Sequence, residues 1–174
     1  MLIALLIIPQ TRKPIQVAVN SLKVKIFSPS AFAKADQTQL KPFTYRVTSI
    51  DGLSRNAKIG QGKVTFISYW ATWCPPCIAE LPSIEKLYAD YGNKVDFVLI
   101  TQEEPAKVKR FLERKDLNIP AVFPQMETPE QLYERSIPTN YIIDKTGNIV
   151  IKEQGAADWN STKVRETLDQ LLAS

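Results

Sequence analysis

The sequence has no histidine, only two cysteines, and no apolar run as long as the roughly 20 residues that a membrane-spanning helix requires. Without histidine, the common Cys/His zinc sites, a Cys-His nucleophile pair and a Ser-His-Asp triad are all excluded. A single Cys-x-x-Cys supplies only two of the four ligands that a structural zinc takes. Two cysteines cannot build a disulfide scaffold, which leaves them as a functional pair. A basic block is missing too. The 22 Lys and Arg against 18 Asp and Glu give a net charge of +4 that is spread along the chain. No nucleic-acid footprint is present, and no nucleic-acid partner is expected. There is no internal repeat and no low-complexity tract. The 174 residues are enough for one domain with a real core and an N-terminal extension.

What is present centres on Trp70-Ala71-Thr72-Trp73-Cys74-Pro75-Pro76-Cys77. An apolar run, Val64 to Tyr69, precedes it and reads as a strand buried on both faces. Helical spacing of Ile78, Leu81, Ile84, Leu87 and Tyr88 follows it. The dithiol therefore stands at a strand-to-helix junction. Pro75 and Pro76 suit the first turn, where amide hydrogens lack partners anyway. Pro82 falls inside the helix and should kink it, and Gly92-Asn93 should end it.

Phe43 to Val47 alternates as a strand, Asp51-Gly52 signals a turn, and a short strand near Ala57-Ile59 completes a hairpin. Val95 to Thr101 is a second core strand, and Pro105 starts a helix. Ile119 to Phe123 is a short strand. Thr128 to Arg135 reads as a short helix, with Thr128 as N-cap and Pro129 at its first position. Strands at Tyr141-Asp144 and Ile149-Lys152 form a closing hairpin, and Ser161 caps a last helix. Alternating strand and helix units imply an α/β fold with a parallel sheet core to which the hairpin adds antiparallel strands.

Residues 1–37 are read as an N-terminal extension and 38–174 as the domain. Met1 to Ile8 is wholly apolar, ends at Pro9 and is followed by Thr11-Arg12-Lys13. It is read as the tail of a membrane anchor. Apolar positions 15, 18/19, 22 and 26 fit one helical face suited to a membrane interface or to packing on the domain. Residues 28 to 40 read as a linker.

This order of elements resembles the thioredoxin fold. Trp-Cys-Pro-Pro-Cys-x-x-Glu-x-Pro at Trp73 to Pro82, Ile137-Pro138-Thr139 and the Ile-Asp-Lys-Thr-Gly hairpin are similar to the TlpA/ResA-like branch. That branch comprises membrane-anchored, extracytoplasmic thiol-disulfide oxidoreductases. The resemblance implies a central mixed sheet flanked by helices, with an added N-terminal β-hairpin. It implies a reductant of protein disulfides on the periplasmic side, with cytochrome c maturation as one setting. Its partners would be a protein disulfide substrate and an upstream thiol donor. The redox-active Cys74–Cys77 disulfide would be its only redox group, with no metal and no other cofactor.

At a helix N-terminus, unpaired amides and the macrodipole stabilise a thiolate. Cys74, at the helix entry and with the more exposed sulfur, is assigned as attacking nucleophile. Cys77, one turn in, is assigned as resolving thiol. The resemblance implies that Pro138 is cis and that the Ile137 backbone pairs with an extended partner. It also places an acid, Glu80, beneath the dithiol as a proton relay, with burial raising its pKa. Thioredoxins proper carry an Asp where this chain has Ser68. Trp73 lines the site surface, and Pro75 and Pro76 set its geometry. Trp70 and Trp159 are assigned to packing.

Three rivals remain at this stage. A dithiol oxidant or isomerase would use the same motif with opposite poise. A peroxiredoxin-type peroxidase would need proline and threonine where Ile67 and Ala71 stand. A copper module would need ligands beyond two thiolates.

Overall fold

The computed structural model describes residues 9–174, with side chains from Arg12 onward. The anchor expected at Met1–Ile8 lies outside the described residues. Helix α1 spans Pro9–Ile26. Strands β1 (Phe43–Ser49) and β2 (Ser54–Ile59) form the first hairpin, and β3 is Thr65–Tyr69. Helix α2 is Pro75–Tyr91, β4 is Asp96–Ile100 and α3 is Pro105–Lys115. The chain closes with β5 (Ala121–Pro124), β6 (Thr139–Ile143), β7 (Ile149–Gln154) and α4 (Thr162–Ala173).

The seven strands make one mixed sheet in the order β2-β1-β5-β4-β3-β6-β7. β3 pairs in parallel with β4 and antiparallel with β6, and β4 pairs in parallel with β5. This is the expected thioredoxin-like arrangement, and the first hairpin joins it by pairing β1 antiparallel to β5. Strand β3 lies inside the sheet with every residue but Tyr69 buried, which accounts for its largely apolar run. The apolar faces of α2, α3 and α4 cover one side of the sheet, with Phe66, Phe97 and Trp159 in contact at its middle. Tyr45, Ile67, Tyr141 and Ile143 belong to the core on the other side.

Several local expectations are corrected. Thr128 to Arg135 is not a helix. Only Glu130–Leu132 makes a 3-10 turn, with Pro129 in an extended conformation before it and no side-chain cap. Leu132, at the end of that turn, is fully buried. Residues 28–40 are not a free linker. Phe32 N–H donates to the Val150 carbonyl, Ile149 N–H donates to the Thr38 carbonyl, and Leu40 is buried. The face of α1 turned to the domain carries Val17 and Val24, with Val24 seated against Ala79 and Ala156. Val19, Leu22 and Ile26 point outward.

Helix α2 runs through Pro82 to Tyr91. Gly92 closes it in a right-handed conformation, φ −61°, so positive φ does not explain the glycine. A Cβ there would stand 2.6 Å from the Tyr88 ring and 2.7 Å from the Tyr88 carbonyl oxygen. Close approach is what requires glycine.

Candidate active site

The C-terminal end of β3 delivers the chain to the N-terminus of α2. Trp70 N–H still bonds the Ile100 carbonyl at 3.1 Å, holding the strand to its last residue. The turn that follows is held from the β4–α3 loop. Both carboxylate oxygens of Glu103 accept from Thr72, its N–H at 2.6 Å and its hydroxyl at 2.8 Å. Glu103 also pairs with Lys107. Burial pushes its carboxyl up, but the bonds from Lys107 and Thr72 outweigh burial and hold it below the usual range. Lys13 of α1 donates to the Thr72 carbonyl at 3.0 Å.

Cys74 is the N-cap of α2, and its sulfur accepts from the Cys77 N–H at 3.3 Å. The two cysteines are joined in a disulfide. Pro75 and Pro76 occupy the first turn, half-buried, as their missing donors allow. A sulfur capped by a helix amide is an environment that favours the thiolate once the bond is reduced. The expected exposure of the Cys74 sulfur is not found. Cys74 is 2 % exposed and Cys77 0 %. The segment before β6 closes over the pair, placing the Ile137 carbonyl oxygen 3.7 Å from Cys74 Sγ. The Ile137–Pro138 peptide is cis, and Pro138 is buried.

Trp73 stands out at 59 % exposed, whereas Trp70 is buried against Phe111. A pocket of about 490 Å³ opens beside the disulfide between Trp73, Ile137, Tyr133, Glu103 and Glu134. Tyr133 is exposed on it. No cluster of residues suited to a metal ion occurs among the described residues.

Glu80 is fully buried one helical turn past Cys77. Three donors surround its carboxylate. Asn140 Nδ2 donates to Oε1 at 2.9 Å, while the Ala157 N–H and Trp159 Nε1 each donate to Oε2 at 3.2 Å. Burial without a cation raises its pKa to about 8, against the pull of these three bonds. Trp159 therefore does more than pack: its indole N–H contacts the acid while its ring meets Phe66 edge-on at 5.0 Å.

Sequence reasoning brought Cys74, Cys77, Glu80, Trp73, Ile137 and Pro138 to one place, and the structure brings them together. It missed Asn140, Trp159, Thr72 and Glu103. A signal existed for Asn140, which is a polar residue inside the apolar strand Thr139–Ile143.

The family described as Redoxin matches residues 37–172. The chain is 31% identical to the thiol-disulfide oxidoreductase ResA of Halalkalibacterium halodurans over 71% of its own length and 70% of that protein's. It is 26% identical to the thioredoxin-like protein YneN of Bacillus subtilis over 72% of its length and 75% of that protein's. Among solved structures, a thiol:disulfide interchange protein of the thioredoxin family from Chlorobium tepidum superposes with a TM-score of 0.57 at 23% identity. That match covers 80% of this chain and 99% of the other, and it supports the fold. Fold, dithiol placement and relatives agree: the chain belongs to the Redoxin family and is a thiol-disulfide oxidoreductase of the thioredoxin fold.

Proposed function

We propose that this chain is a reductant of protein disulfides working outside the cytoplasm, with Cys74 as nucleophile, Cys77 as resolving thiol and Glu80 as proton relay. The observation that carries the reading is a fully buried carboxyl of raised pKa one turn below a disulfide that caps the same helix. In the reduced protein the Cys74 thiolate attacks a partner disulfide. One partner sulfur joins Cys74, and the other leaves as thiolate and takes a proton from water. The Glu80 carboxylate then accepts the Cys77 proton. The Cys77 thiolate attacks Cys74 Sγ, closing the intramolecular disulfide and expelling the second partner sulfur as a thiolate; Glu80 gives up the proton it accepted, and the leaving sulfur is protonated to the thiol. Two electrons pass to the partner, and an upstream thiol donor resets the pair. The dithiol supplies these electrons, and the cycle calls for no other cofactor.

The surface for the partner is formed by Trp73, Pro75, Pro76, Ile137 and Pro138. The Ile137 backbone would pair with an extended segment in the manner of strand addition.

Glu80 supports the reducing direction. Burial of Cys77 and the acid beside it both disfavour a Cys77 thiolate, and so favour the disulfide over the reduced pair. Lys13, bonded to the Thr72 carbonyl two residues before Cys74, acts in the opposite sense and favours an oxidant or isomerase. A redox titration of Cys74/Cys77 against glutathione decides between them. A potential in the range of thioredoxin, about −270 mV, supports the reductant. One near the strong periplasmic oxidants, about −120 mV, overturns it.

The extracytoplasmic setting, and c-type cytochrome maturation within it, rests on the family resemblance. Support for membrane association comes from the apolar start Met1–Ile8 and from α1. That helix carries Arg12, Lys13, Lys23 and Lys25, has no acidic residue, and exposes Val19, Leu22 and Ile26. No described helix is long and apolar enough to cross a membrane. Residues 38–174 are proposed as the redox domain proper and 1–37 as its extension.

A further inference from the structure

Two buried polar atoms lie on opposed positions of β3 and β6 without a protein partner. Ser68 and Asn140 face each other in the antiparallel register, so their side chains share one face of the sheet. That face is turned to α2, because Asn140 Nδ2 reaches Glu80 Oε1 at 2.9 Å. Both residues are 0 % exposed, and Ser68 Oγ and Asn140 Oδ1 have no hydrogen-bond partner. A buried unsatisfied group costs about 1–3 kcal/mol. Apolar residues at either position would remove that cost, so the pair calls for a reason.

The two oxygens of Glu80 are not equivalent. Oε2 receives the Ala157 N–H and the Trp159 indole N–H, groups that only donate. A proton on the carboxyl cannot be handed to either, so its place is Oε1, opposite Asn140. The carboxamide of Asn140 has a donor end and an acceptor end on one hinge. With Nδ2 toward Glu80 it serves the carboxylate. After a half-turn about its terminal torsion, Oδ1 accepts from the protonated Oε1. The Ser68 hydroxyl, opposite Asn140 in the register, bonds neither end of the amide here; as a group that can donate or accept, it does not oppose the half-turn.

We infer that Asn140 is a reversing amide that holds Glu80 in position in both of its protonation states. This rests on the proton-relay reading of Glu80. A relay must carry its proton and lose it again within each cycle. A buried acid with donors alone is served in only one of the two states. Other groups bear on Glu80 as well. Cys77 on its own helix titrates when reduced. Glu153 on β7 raises the Glu80 midpoint, and Glu153 is itself offset by Lys23 of α1. The remaining contacts, from β6 and from the segment before α4, are neutral.

The test uses the oxidised full chain, in which neither cysteine titrates. The Glu80 carboxyl carbon and the Asn140 side-chain amide are followed by NMR from pH 5 to 10. The expected result is that both titrate with one midpoint. A coupling across the hydrogen bond from Asn140 Nδ2 to the Glu80 carboxyl is present above that midpoint and lost below it. An amide that keeps its coupling throughout, or ignores the Glu80 titration, overturns the inference. Kinetics supply the second arm. Asn140→Leu is expected to slow disulfide reduction on the order of tenfold, yet within about twofold of no further effect in a Glu80→Gln background. Equal losses in both backgrounds would mark Asn140 as merely structural. A Glu80→Gln variant with an unchanged pH profile would instead defeat the relay reading itself, which separates the two failures.

Discussion

Glu80 owes its behaviour to a conflict between burial and hydrogen bonding. Burial raises its pKa to about 8, and donors from Asn140, Trp159 and Ala157 limit the rise. Removing a donor that serves only the carboxylate should push the midpoint higher still. Trp159→Phe keeps an aromatic ring against Phe66 and deletes the bond to Oε2. Its Glu80 midpoint, read from the carboxyl carbon by NMR, should lie above the wild-type value. A midpoint at or below wild type would show that the indole does not hold the acid. At this scale Cys74, Cys77 and Glu80 were legible because their spacing of three residues fixes them on one helical face. Asn140 and Trp159 were not, since they reach Glu80 across 60 and 79 residues of sequence. No local period encodes contacts of that range.

The turn joining β3 to α2 is fastened from outside both elements. Glu103 on the β4–α3 loop takes both donors of Thr72. Thr72→Val deletes the hydroxyl bond to a charged acceptor and should cost about 1.5–3 kcal/mol in urea unfolding. The same variant should slow attack by Cys74, because the turn sets where that sulfur stands. Stability and rate both equal to wild type would mean that the clamp carries no load. At the other end of α2, Gly92→Ala sets a methyl group against the Tyr88 carbonyl and ring. A loss of about 1–3 kcal/mol is expected in the same assay, and a neutral result would refute the close-approach account. Strands β3, β4, β6 and β7 were legible as apolar runs bounded by turn residues. The segment 128–135 misled because its Thr-Pro start has the form of a helix cap, while only one 3-10 turn forms, with no side-chain cap. For α1 the sequence left open a membrane interface or packing on the domain for positions 15, 18/19, 22 and 26; Val19, Leu22 and Ile26 are exposed, and Val17 and Val24 form the packed face.

Across the whole molecule, the parallel core of β3, β4 and β5 follows from alternating units, whereas the place of β6 beside β3 and the docking of the first hairpin against β5 lay beyond the sequence pattern. The charge pattern also sets how stability varies with pH. The Lys152 ammonium, against a smaller effect of burial, keeps Glu134 below the usual carboxylate range. Burial pushes Asp144 up, but bonds from Asn148 and Thr146 outweigh it and leave it depressed. These two groups add stability above their unfolded pKa values, and that stability is lost as pH falls through the folded ones. Glu80 has the opposite sign. Its folded pKa is raised from 4.5 to about 8, so its contribution is full below 4.5 and is lost as pH rises to about 8. Stability should therefore peak near the lower end of the Glu80 window, just above pH 4.5, and fall from there toward pH 8. Glu80→Gln should remove that alkaline fall, as followed by thermal unfolding between pH 5 and 9. A variant whose curve parallels wild type would contradict the burial of an ionisable acid. The central claim is the division of labour between the two sulfurs, and it is tested most directly by trapping. Reduced Cys77→Ser and Cys74→Ser proteins are each mixed with a disulfide-bonded protein substrate, and the covalent adducts are mapped by mass spectrometry. The account predicts a lasting mixed disulfide through Cys74 in the first and no adduct in the second. An adduct through Cys77 in the Cys74→Ser protein, or full reductase activity there, would contradict it.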